Sequence, residues 1–155
     1  MISARTLVQR SFSVLFLASA SVGFSAGSSA RAAAAPAPIN EALEQAMGQL
    51  QQSMKALGKG INAETQAAAL EELAKIEAAI LTAKTQTPDT AATVDEKKRA
   101  DFVAEFRTTL LEALKLACDA EIAVVNGKYK EAEGILRGKL STLKSASHDK
   151  FKGED

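Results

Sequence analysis

Thiols and imidazoles are nearly missing from this sequence of 155 residues, which has one cysteine and one histidine. One cysteine excludes a disulfide framework within the chain and any site built on four thiolates, zinc or iron–sulfur. One histidine excludes two-histidine metal motifs and argues against most histidine-based triads. Tryptophan is absent, and proline and glycine number 3 and 9. With β-branched residues also sparse, little favours strands or tight turns. An excess of charge is lacking too, since 19 basic residues balance 19 acidic ones, so there is no electrostatic footprint for nucleic acid. What is present is alanine, leucine, glutamate, lysine and glutamine, the composition of helices packed on helices. The length suits one domain of ordinary size. Any chemistry must therefore run through one histidine or through carboxylates.

Residues 1–32 contain no acid. Arg5 and Arg10 precede an apolar stretch from Phe12 to Phe24, and Ser28-Ser29-Ala30-Arg31-Ala32 supplies small residues at its end. A basic start, a short apolar middle and a small-residue end make a secretory signal. The apolar part is too short and too serine-rich for a membrane span, which needs about 20 apolar residues. Residues 33–39, alanines and prolines, read as a flexible leader. Cleavage after Ala32 removes three arginines and leaves an exported chain of net charge −3. The expected localisation is periplasmic, with no membrane association after cleavage.

Residues 40–152 divide into four helical segments. Asn40 is a good N-cap for the first, whose seam is Leu43, Met47, Leu50, Met54, Leu57 and Ile61, in alternating steps of four and three. Gly58 and Gly60 end it. Asn62 is the N-cap candidate of the second, with Ala67, Leu70, Leu73, Ile76, Ile80 and Ala83 on its seam and Thr87-Pro88-Asp89 as its stop. Thr87 to Ala92 is a small polar loop. Thr93-Val94-Asp95-Glu96 reads as a capping box for a third helix of about three dozen residues that carries Phe102, Phe106, Leu110, Ala113, Ala117 and Val124 and closes at Asn126-Gly127. The fourth starts near Lys128 and presents Tyr129, Ala132, Leu136, Leu140, Leu143, Ser147 and Phe151 on one stripe. Short connections make consecutive helices antiparallel neighbours, so the expected fold is an all-α, up-down-up-down four-helix bundle.

That order brings the start of the first helix and the end of the fourth to one end of the bundle. Met47 and His148 then lie at similar depth on neighbouring helices, and thioether and imidazole are both recognised haem-iron ligands. At about 100° per residue, His148 sits roughly a right angle from the centre of its own stripe, a boundary position. The plain alternatives stay open at this point. Methionine on a seam is usually core filler, and a lone histidine near a helix C-terminus is usually a surface residue that suits the dipole. Cys118 reads as a small buried hydrophobe or as a thiol available for an intermolecular disulfide in an oxidising compartment. Glu71, Glu72 and Glu112 fall on polar faces, and no Asp/Glu-x-x-His pair accompanies His148, which argues against a carboxylate-bridged metal site.

The pieces in order are Leu43-Glu44-Gln45-Ala46-Met47, Thr87-Pro88, Asp101-Phe102 with Phe106, Asn126-Gly127-Lys128 with Lys130-Glu131-Ala132, and Ala146-Ser147-His148-Asp149-Lys150-Phe151. In sequence and spacing they resemble the cytochrome b562 family, soluble periplasmic four-helix haem proteins. The resemblance covers residues 40 to 152. It implies one non-covalent b-type haem per chain with Met47 and His148 as axial ligands, and a pocket lined by Phe102 and Phe106. Lys144 stands where the family usually has an arginine near the haem edge, and Ser147 stands where an aromatic is common. Leu50 and Ile76 would complete the apolar lining. Related c-type bundles attach haem through Cys-x-x-Cys-His, whereas Lys144-Ser145-Ala146-Ser147-His148 has no thiol; covalent attachment is excluded. The implied role is one-electron transfer between unidentified periplasmic redox partners, not catalysis. The alternatives are a haem-free periplasmic interaction module and a haem store that carries no electrons.

Overall fold

The computed structural model describes residues 40–152; the expected signal and leader fall outside these. Asn40 starts the first helix, its side-chain oxygen accepting a hydrogen bond from the Leu43 N–H at 3.1 Å. Helix α1 runs Glu41–Leu57, with Glu41 and Glu44 in the first turn and Lys55 in the last, each charge suited to its end of the dipole. After it come α2 (Gln66–Ala83), a single 3₁₀ turn (Asp89–Ala92) and α3 (Glu96–Val125). The last rod is α4 (Tyr129–Gly134), a π-helical segment (Ile135–Leu140) and α5 (Ser141–Phe151). The backbone stays right-handed helical across both junctions, so the three pieces form one interrupted helix. The described residues form an all-α four-helix bundle.

The turn after α1 needs glycine at position 60, where φ is +110°, and the one before α4 needs it at 127, where φ is +71°. Side chains other than glycine rarely adopt these values. Helix α1 packs on α2, α2 on α3, and α3 on the whole last rod, which is the antiparallel order. Leu73, Ile76, Ile80 and Val124 are fully buried at the centre, and alanines at 69, 79 and 83 on α2 and 113, 117, 120 and 123 on α3 are buried around them. Small side chains on both helices allow the close approach of α2 and α3. Interlocking side chains tie the far end. Gln66 donates to the Val124 carbonyl and accepts from the Tyr129 hydroxyl, while Glu133 accepts from the Ile61 N–H.

Local structure departs from the sequence expectations at several places. Asn62 does not cap α2. Its oxygen accepts from the N–H groups of Glu64 and Thr65, closing a turn before the helix begins at Gln66. Ala69 rather than Ala67 is buried on α2. The polar loop contains the 3₁₀ turn, and Asp95, not Thr93, caps α3 through the Lys97 N–H. The Thr93 hydroxyl instead donates to the Thr90 carbonyl. Helix α3 is 30 residues long, shorter than expected, and starts at Glu96 behind the Asp95 cap. The π segment was not legible in the heptad pattern. Gly134 and Gly138 sit beside and within it with open space around them, so they weaken the ordinary helix there without being required by packing.

Candidate functional site

The start of α1, the loop after α2, the start of α3 and the end of α5 meet at one end. Asn40 donates from its backbone to Asp89 at 3.4 Å and from its amide to the Thr87 carbonyl at 3.2 Å, fastening α1 to the loop. The Thr90 hydroxyl donates to the Phe151 carbonyl at 2.8 Å, fastening the loop to the last turn of α5. Arg99 and Arg107 on α3 hold the same loop through the carbonyls of Ala91 and Lys84. Lys150 pairs with Glu105, joining α5 to α3 across the surface.

Phe151 is the apolar counterpart of these ties. It is buried, and both Phe102 and Phe106 meet it edge-on with ring centroids 5.2 Å apart. Each such pair adds about 0.5–1.5 kcal/mol beyond burial. Phe106 is buried and Phe102 half-buried. The three rings therefore fix the end of α5 on the start of α3. Phe151 was expected on the stripe; its role as the centre of the aromatic cluster was not. Its spacing of three from His148 is the signal that ties the two.

Leu50 and Ile76 are buried in the main core, while Met47 is half-buried against it on α1. His148 is exposed, farther out than the boundary position expected, because Ser147 and Leu143 occupy the half-buried positions of α5. Lys144 is also exposed, one turn before His148. Helix α5 packs on α3 and the π segment, and no comparable backbone packing joins it to α1. The α1–α5 side is thus the loosely closed side of this end. On α1, Leu43 and Met47 are half-buried against the core, and on α5 Leu143 and Ser147 are half-buried and His148 is exposed.

The residues present fit the group that the sequence resemblance implies. Among the described residues neither nitrogen of His148 has a hydrogen bond or ion pair, and Lys144 has no ion pair. A thioether and a neutral imidazole are a sufficient axial set when a macrocycle supplies the other four nitrogens. Among the described residues no group of three or more His, Cys, Asp or Glu could hold a bare metal ion. Two hollows lie elsewhere. One of about 30 Å³, between Met54, Leu57, Gly58 and Leu136, holds one water at most. The other is a polar cleft of about 230 Å³ along Asp119, Asn126, Lys128 and Glu131.

A second cluster was missed in the sequence. Glu77 on α2 is half-buried with one carboxylate oxygen lacking a partner. Burial, and then the neighbouring Glu121, push its carboxyl above the ordinary value. Burial and the same Glu77 push the Cys118 thiol up. Cys118 is half-buried, between the buried and the surface readings. Nothing in the heptad pattern marks Glu77, which lies one residue off a run of buried apolar positions.

No described helix is long and apolar enough to cross a membrane. A comparison with curated proteins finds none that matches. The family model described as cytochrome b562 matches residues 42–152, nearly all of the described bundle. The fold, the ring cluster and this match agree, and the chain belongs to the cytochrome b562 family, haem-binding electron-transfer bundles.

Proposed function

We propose that the protein is a periplasmic one-electron carrier holding one b-type haem non-covalently between Met47 and His148. The observation that supports the reading is that the start of α1, with half-buried Met47, and the end of α5, with exposed and unpartnered His148, are fastened to the same loop at one end of the bundle. Family membership supports a haem protein; the two ligands, the export and the redox role are this proposal.

Met47 reaches the site from a rigid position, because its neighbours Ala46 and Leu50 are buried in the core. His148 is oriented by the next turn of its helix, which Phe151 and Thr90 anchor. Phe102 and Phe106 offer apolar faces that exclude water from this end, and Leu50 and Ile76 lie behind them in the core. Lys144, exposed one turn before His148, would offer a cation to a carboxylate of the bound group. When bound, the haem supplies a reversible ferric–ferrous couple. Met47 and His148 would hold the iron, and with protein side chains as its ligands it would exchange electrons and not bind a substrate.

Absorption spectroscopy of the purified protein with added haem tests this. A sharp low-spin Soret and α band is expected, altered in Met47→Ala and in His148→Ala and lost in the double variant. An unchanged spectrum in the double variant overturns the ligand assignment. Failure of the loaded protein to exchange electrons with a small redox mediator leaves the store reading in place of the carrier.

A further inference from the structure

Away from the end where α1 and α5 meet the loop, α3 carries an apolar stripe that nothing covers among the described residues. Ile122 and Val125 are each 60% exposed and Leu111 is 46% exposed, and half-buried Leu114 and Cys118 lie between them. At about 100° per residue, all five fall within about 40° of the direction of Cys118. Their offsets from Cys118 are seven and four residues on each side. The stripe therefore reads the same in both directions along the helix. A symmetric stripe of this kind is self-complementary under a two-fold axis.

We propose that the occupant of this stripe is a second copy of the chain, docked with the two α3 helices antiparallel and the two-fold axis at Cys118. That axis sets Leu111 opposite Val125 of the second copy, Leu114 opposite its Ile122, and Cys118 opposite Cys118. The flanking charges match the same arrangement. Lys115 and Asp119 lie on one flank of the stripe, both exposed and neither in an ion pair within the chain among the described residues. The axis brings Lys115 of each copy beside Asp119 of the other, offset by about 3 Å along the helix, and does so twice. On the opposite flank lie Glu77 and Glu121, both half-buried. A parallel pairing of two α3 helices would lose the charge match, because it sets the Lys115/Asp119 flank of each copy against the Glu77/Glu121 flank of the other. The surface lies on the outer side of α3, so docking leaves the α1–α5 side open and does not depend on the haem reading.

Sedimentation equilibrium of the purified protein from micromolar to millimolar concentration tests the proposal. A monomer–dimer equilibrium is expected. Ile122→Glu, at a solvent-exposed position where helical content and melting should not change, should weaken it at least about tenfold, since each dimer would face the carboxylate with apolar surface twice. Lys115→Asp should weaken it as well, and the double exchange Lys115→Asp with Asp119→Lys should restore it. A short bismaleimide should join Cys118 to Cys118 in the wild type and far less in Ile122→Glu. A monomer at every concentration overturns the proposal. So does a dimer that ignores Ile122→Glu, or a double exchange that fails to restore association. Protection of residues 1–39 from protease in a monomer, lost in Ile122→Glu, would assign the stripe to the chain's own N-terminal segment and likewise overturn it.

Discussion

The α2–α3 pair and the α1–α5 pair are built on opposite principles. Between α2 and α3 the buried positions are alanine, leucine, isoleucine and valine, many with no exposed surface at all. Helix α5 by contrast buries a single residue, Phe151, and presents Ser147, His148 and Lys144 toward or into solvent. The first pair holds the fold, and on the proposed reading the second holds the haem. Substitutions in the two pairs should therefore separate stability from haem binding.

The largest effect should come from the closed pair. Ile76→Ala removes a fully buried side chain and should cost about 2–5 kcal/mol, read as a lower urea midpoint with an unchanged slope. Next is the anchor of the open pair. Phe151→Ala deletes both ring contacts and should cost about 2–4 kcal/mol, under a wholly central phenylalanine because it lies at a helix end. Unlike Ile76→Ala, it should also weaken haem binding at temperatures where the protein stays folded. Equal haem affinity in the two variants would erase the distinction between the pairs.

The contrast also explains what could be read in the sequence and what could not. Seams of leucine, isoleucine and phenylalanine report burial directly, so the four helices, their order and the core at Leu73, Ile76, Ile80, Phe106 and Leu110 were legible. Helix starts were less so, because several nearby side chains compete for the same N–H groups. Asn62 accepts from N–H groups of a turn that precedes α2, and the Thr93 hydroxyl donates to the Thr90 carbonyl, so neither caps a helix. The π segment escaped because two glycines change helix geometry without breaking the apolar spacing of Leu136 and Leu140. Near the proposed site, the place of Met47 on the α1 seam was legible, but not the exposure of His148. Exposure depends on which side of α5 turns outward, and a stripe interrupted by Ser147 specifies that poorly.

Smaller effects sharpen the comparison. Gly134→Ala and Gly138→Ala meet open space and should each stabilise by about 0.5–1 kcal/mol, read as a rise in Tm. Circular dichroism and hydrogen exchange across 134–140 would show whether the π segment persists. Glu77→Gln should raise Tm at neutral pH by no more than about 4 °C. The sign follows from its raised carboxyl. A carboxyl that titrates higher in the folded state costs stability once pH rises above its unfolded value, and costs nothing below it. The gain should therefore vanish when the melts are repeated below pH 4.5, the ordinary value for the group. A gain that persists there would mean that packing, and not charge, is the cause.

The most direct measurement is the melting temperature of the wild type and of Met47→Ala/His148→Ala, each with and without haem. Without haem the double variant should melt close to the wild type, losing only the contacts of one half-buried methionine, since His148 is exposed and unpartnered. Haem should raise the wild-type Tm, because a ligand that binds only the folded state stabilises it in proportion to its occupancy. The double variant should gain little or nothing. An equal rise in both proteins would contradict the assignment of Met47 and His148 as the ligands of the open side.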